Sequence, residues 1–144
     1  MAHSYIDYQG KYAHMNDGYI ALVVYATLAH AAGMPADQFP SRLRGLMERW
    51  ATVIDDCGPG CIDLELDAHL ATETDRQHFI DLVIGAEQRV LAHANEVGVV
   101  NLREAISPTE EQSIRFDDKL SVEQIRSSFA GLLSVVTAAS PTLP

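Results

Sequence analysis

The chain has 144 residues, with 20 acidic and 10 basic side chains and a formal net charge of −10. With 47% apolar and 21% charged residues the composition is globular, and the length suits one domain that buries roughly 70% of its unfolded surface, enough to fold without a disulfide or a metal. The acidity argues against DNA, RNA and anionic membranes as partners, since each presents negative charge.

Residues 1–16 hold Tyr5, Tyr8, Tyr12 and Met15, an aromatic-rich arm expected to pack on the body. No basic n-region precedes the apolar run from Tyr19 to Ala32. Asp7 and Asp17 stand ahead of it against Lys11 alone, so no cleaved signal is expected. At 14 residues, with His30 inside it, the run is too short to span a bilayer, which takes about 20 residues. It predicts a central helix from Asp17 to Ala32, capped by Asp17 and ended by Gly33 and Pro35.

A second helix is predicted from Asp37 to Asp56. Phe39, Leu43, Leu46, Met47, Trp50, Val53 and Ile54 recur at three- and four-residue steps, and Pro40 fits its first turn. Gly58-Pro59-Gly60 breaks the chain. Ile62, Leu64 and Leu66 then alternate with Asp63, Glu65 and Asp67. Period two is a strand signal, but no strand partner is evident elsewhere. The stretch 61–71 is therefore read as an extended segment or short helical turn, leucines inward and carboxylates outward.

A third helix is predicted from Thr72 to Val97, with Thr72 and Asp75 as a capping-box-like start and Gly98 as its C-cap. Phe79, Leu82, Val83, Ala86, Val90, Ala94 and Val97 line one face. A short helix is expected within Leu102–Ile106 and a polar loop over 107–120. The last helix is predicted from Ser121 to Ala139, with a stripe of Val122, Ile125, Phe129, Leu132 and Val136. Residues 140–144 hold two prolines and read as a frayed tail. The sum is an all-α, single-domain antiparallel bundle of four main helices over residues 1–139.

The charge is localised. Residues 1–50 net to zero, whereas residues 51–75 carry Asp55, Asp56, Asp63, Glu65, Asp67, Glu73 and Asp75 with no Lys or Arg. A charge run is ordinarily a solvated face. Its functional reading is a docking surface for a basic partner, with Asp55, Asp56, Asp63, Glu65 and Asp67 as the contact residues.

Other motifs give less. Cys57 and Cys61 are spaced C-x-x-x-C after a helix, among aspartates that raise a thiol pKa, so they read as small thiols beside a turn and not as a redox pair. Zinc needs four ligands, and only His69 lies near them. Asp63, Glu65 and Asp67 resemble the start of a calcium loop, but Ala68 replaces the sixth-position Gly and Thr74 the twelfth-position Glu. Asp75-x-x-His78 and His93-x-x-Glu96 both fall on the third helix, about 27 Å apart from Asp75 to His93, too far to share a metal. Three residues separate Arg89 from His93, one too few for helical ribonucleases of the HEPN type. Phosphate loops, G-x-S-x-G and H-E-x-x-H do not occur.

Gly18-Tyr19-Ile20, Trp50 late in the second helix, Gly60-Cys61-Ile62-Asp63-Leu64 with Leu66-Asp67, and Asp75-Arg76 give the chain a resemblance to small acidic helical immunity-type proteins of bacteria. Such proteins neutralise a toxin by direct binding. The resemblance spans residues 18–102 and implies inhibition by occlusion, with no catalytic residue to carry over. The expected function is therefore a cytoplasmic, non-catalytic binding protein for a basic partner, needing no cofactor or metal. Two alternatives stand beside it: a metal-dependent helical enzyme using Asp75 and His78, and a homodimer paired through the last helix.

Overall fold

The computed structural model describes residues 3–56, 63–97 and 122–137. It is mostly helical, but it is not all-α. The N-terminal arm forms an antiparallel β-hairpin, β1 (His3–Tyr8) and β2 (Lys11–Asn16). Tyr8 lies opposite Lys11, so Gln9 and Gly10 alone make the turn. Both have positive φ, 50° and 81°, the two-residue geometry that matches strand twist. Alternation of buried and exposed side chains accompanies strand pairing here. Ile6, Tyr8 and Met15 point inward, and Tyr5, Asp7, Tyr12 and His14 point outward.

Helix α1 (Asp17–Gly33) follows directly. Every residue from Leu22 to Thr27 is buried, so its apolar surface goes all round, as a central helix requires. It packs on three other helices, Arg44–Asp56, Glu73–Val97 and Val122–Thr137. Helix α2 (Arg44–Asp56) starts later than the periodicity predicts. Pro40 stays extended at φ −63° and ψ 109° and precedes a 3-10 turn, Ser41–Leu43, and does not enter a helical first turn. Leu43, Leu46, Met47 and Trp50 carry the expected stripe into the core.

Residues 63–71 are an irregular stretch around a single turn, α3 (Leu66–His69), with Leu64, Leu66 and Leu70 buried. Helix α4 (Glu73–Val97) begins where Thr72 Oγ1 accepts the Asp75 N–H at 3.1 Å, the predicted cap. Its buried face holds Phe79, Leu82, Val83, Ala86 and Val90. The Trp50 and Phe79 rings meet edge to face, with centroids 5.7 Å apart at 89°.

Helix α5 (Val122–Thr137) closes the core with Ile125, Phe129, Leu132, Val135 and Val136, all buried. The hairpin lies on α5. Gly131 allows that approach, since a Cβ there would stand 2.9 Å from Met15 Sδ. The stripe on which dimer pairing through the last helix depended is therefore spent inside the chain. Gly98, the 102–106 helix, the 107–120 loop, Ser121, the tail and the Cys57–Cys61 motif lie outside the described residues. Among the described residues, no helix is long and apolar enough to cross a membrane.

Candidate functional site

The acidic segment is a fastened corner. Trp50 Nε1–H donates to Leu64 O at 2.9 Å, tying the segment's start to α2. Tyr8 O–H donates to Leu70 O at 2.7 Å, tying its end to β1. Both bonds are buried and satisfy carbonyls that the short α3 leaves outside its own ladder. Burial, the largest influence on the Tyr8 phenol, raises its pKa above the usual tyrosine value, and the nearby Arg76 charge opposes this in part.

Between the ties, each described carboxylate has a defined partner. Asp63 Oδ1 accepts the Glu65 N–H at 2.9 Å, an Asx turn that starts the bend. Glu65 sits in the left-handed region, at φ 53°, and its half-buried carboxylate pairs with Arg49 of α2. Asp67 Oδ1 accepts the Gln9 N–H at 2.9 Å, the amide at the tip of the hairpin. Asp63 and Asp67 are exposed and accept main-chain amides, while Glu65 pairs with Arg49. Asp55 and Asp56 lie in the last turn of α2, with side chains outside the described residues.

The Asp67 bond joins this corner to a surface that charge counting misses. On the outward face of the hairpin, Tyr5 is 60% exposed and Tyr12 70% exposed. Their rings meet edge to face at 5.7 Å and 80°, and Tyr5 also packs on His14 at 4.8 Å. Asp7 lies directly across from Tyr12. Large exposed aromatics grouped on one face are what protein interfaces enrich. The sequence signal was the alternation of Tyr5 and Asp7 with Ile6 and Tyr8 before a glycine turn.

Asp75, read as a metal ligand, is buried and committed elsewhere. Arg42 Nε lies 3.0 Å from its Oδ1 and donates to Oδ2 at 3.2 Å. His78 is exposed one turn on. Among the described residues no group of three or more His, Cys, Asp or Glu side chains is placed to hold a metal ion. His93 and Glu96 stand on α4, as predicted, with side chains outside the described residues.

Comparison with protein-family models, with curated proteins and with solved structures finds no match. The functional reading therefore rests on the geometry of the hairpin and the corner.

Proposed function

We propose that this protein is a non-catalytic binding protein that engages a basic protein partner through one surface made of the acidic corner and the aromatic face of the hairpin. In this reading the longer helices act as a bundle-like scaffold and the protein works in the cytoplasm. The partner is of the toxin kind that immunity-type proteins occlude. The observation that carries the reading is the 2.9 Å bond from Gln9 N to Asp67, which makes corner and hairpin one rigid unit. Carboxylates already held by main-chain amides lose little side-chain entropy on binding. Their charge steers a basic partner and sets the association rate. Tyr5 and Tyr12 supply apolar area with few rotatable bonds and slow dissociation.

The test is affinity capture from the native host, followed by binding kinetics with the captured partner. Asp63→Asn with Asp67→Asn keeps oxygen acceptors for both main-chain amides, and should lower the association rate several-fold to about tenfold and flatten its salt dependence. Tyr5→Ala with Tyr12→Ala should mainly raise the dissociation rate, at a cost of about 2 kcal/mol or more. An acidic partner, or kinetics unchanged in both variants, would falsify the proposal.

A further inference from the structure

A second site lies at the junction of the C-terminal end of α1, the connection before the 3-10 turn, and α4. A cleft of about 340 Å³ opens there, within the usual size of small-molecule sites. Its polar lining includes His30, His78, Asp37 and Asp81, and Phe39 and Leu82 are among its apolar walls. Among the described residues, no Lys or Arg lines it. Asp81 is oriented by Gln77, whose Nε2 donates to Oδ1 at 3.0 Å.

The His30 side is built with unusual closeness. A Cβ on Gly85 would stand 2.6 Å from His30 Nε2, so the imidazole sits on bare backbone of α4. Glycine inside a helix costs about 1 kcal/mol relative to alanine, and here it makes room for a histidine one turn beyond Asp81. Burial, and after it the Arg89 charge, keeps that histidine below its usual pKa, hence neutral.

We propose that this cleft binds a small organic cation, a protonated primary amine on an apolar or aromatic body. Three ammonium N–H groups find the carboxylates of Asp37 and Asp81 and a ring nitrogen of His30 as acceptors. The body of the ligand lies against Phe39 and Leu82. An anion of the same shape meets two carboxylates with no cation in the lining to offset them. The inference does not rest on the protein-binding reading, because it uses different residues on different elements.

The test titrates the whole protein with benzylamine, phenethylamine and isoamylamine, following backbone amide shifts by NMR, with phenylacetate and 2-phenylethanol as matched anionic and neutral controls. At least one amine should saturate by about 10 mM, with shifts confined to residues 30–40 and 78–85. The Asp81→Asn variant should bind it at least about fivefold more weakly, and Gly85→Ala, which displaces His30, should weaken it as well. If Gly85→Ala fails to fold, Asp81→Asn alone decides. No saturation by any amine, equal binding of phenylacetate, or an unchanged affinity in Asp81→Asn each overturns the proposal. Shifts centred on the hairpin and acidic corner overturn it too.

Discussion

Arg42, 70% exposed, holds the carboxylate of Asp75, which is 2% exposed, at the first turn of α4. The pair links the 3-10 turn before α2 to the helix that supplies Phe79, Leu82, Val83, Ala86 and Val90 to the core. The position suits the acid: it stands in the first turn of a helix, at the positive end of the dipole and beside the guanidinium. Removing the cation leaves the carboxylate buried with only the dipole to offset it. Arg42→Ala should therefore lower unfolding free energy in urea by about 1–2 kcal/mol, discounted from a fully buried pair because Arg42 is exposed. Adding Asp75→Asn should recover part of that loss, since the stranded charge is gone. Equal losses in the single and double variants would show that the ion pair contributes nothing.

Two buried hydrogen bonds fix the acidic corner, and the one from Tyr8 can be deleted with little change of shape. Tyr8→Phe strips the donor from Leu70 O and should cost about 1–2 kcal/mol. Thermal or urea unfolding measures it. Hydrogen exchange of residues 64–70 should rise in Tyr8→Phe more than exchange of α4, because the bond restrains the segment and not the helices. Uniform acceleration across both would place the effect in global stability alone.

The exposed tyrosine pair makes the opposite forecast. Cross-strand aromatic pairs contribute about 0.2–1 kcal/mol, and these rings are largely in water. Tyr5→Ser with Tyr12→Ser should change stability by less than about 1 kcal/mol and leave circular dichroism intact. A large loss would make the pair a structural device and weaken its assignment to binding.

Two helical glycines are seats for other residues, and alanine separates their roles. At Gly131 the obstacle is the flexible thioether of Met15. Gly131→Ala should be near neutral, the clash offset by a helix-propensity gain of about 1 kcal/mol. At Gly85 the obstacle is a planar ring at 2.6 Å. Gly85→Ala should destabilise by about 1 kcal/mol. Combining it with His30→Ala should remove that specific penalty. Urea unfolding of the four proteins in the cycle provides the comparison.

His30 also sets a pH dependence. Its folded pKa lies below the ordinary value of 6.5, through burial first and Arg89 second. Asp37 of the connection and His78 and Asp81 of α4 face the same cleft. Between the folded and unfolded values the unfolded chain holds the extra proton, so stability falls as pH drops through that window and levels once the folded group also protonates. Relative to His30→Asn, the parent protein should lose stability as pH falls below about 6.5. A pH-independent difference between the two would remove His30 as the source.

The helices were legible because a long amphipathic repeat has no competing interpretation. Phe79, Leu82, Val83, Ala86 and Val90 announce α4, and Thr72 announces its start. The hairpin was not, although its alternation is plain in retrospect. Six-residue strands rich in tyrosine carry weak signals, and Gln9-Gly10 is a less telling turn than Asn-Gly. The late start of α2 shows Pro40 and the connection before it overriding the apolar period through Phe39. The three carboxylates were visible as charge, but their partners were not. Arg49, Gln9 and the Glu65 amide are brought to them by tertiary packing or by a bend with no sequence signature. The same holds for Asp75, whose partner Arg42 lies 33 positions away.

The bond from Gln9 to Asp67 spans 58 positions and that from Tyr8 to Leu70 spans 62. The hairpin itself needs only neighbouring residues and can form early. Its fastening to the corner closes a far longer loop, and is expected to follow the packing of the helices enclosed between the two attachment points. Completion of the tyrosine-and-carboxylate surface is thus a late event in folding. A nascent or partly folded chain would display its aromatics and its acids separately, and only the finished molecule would present them together.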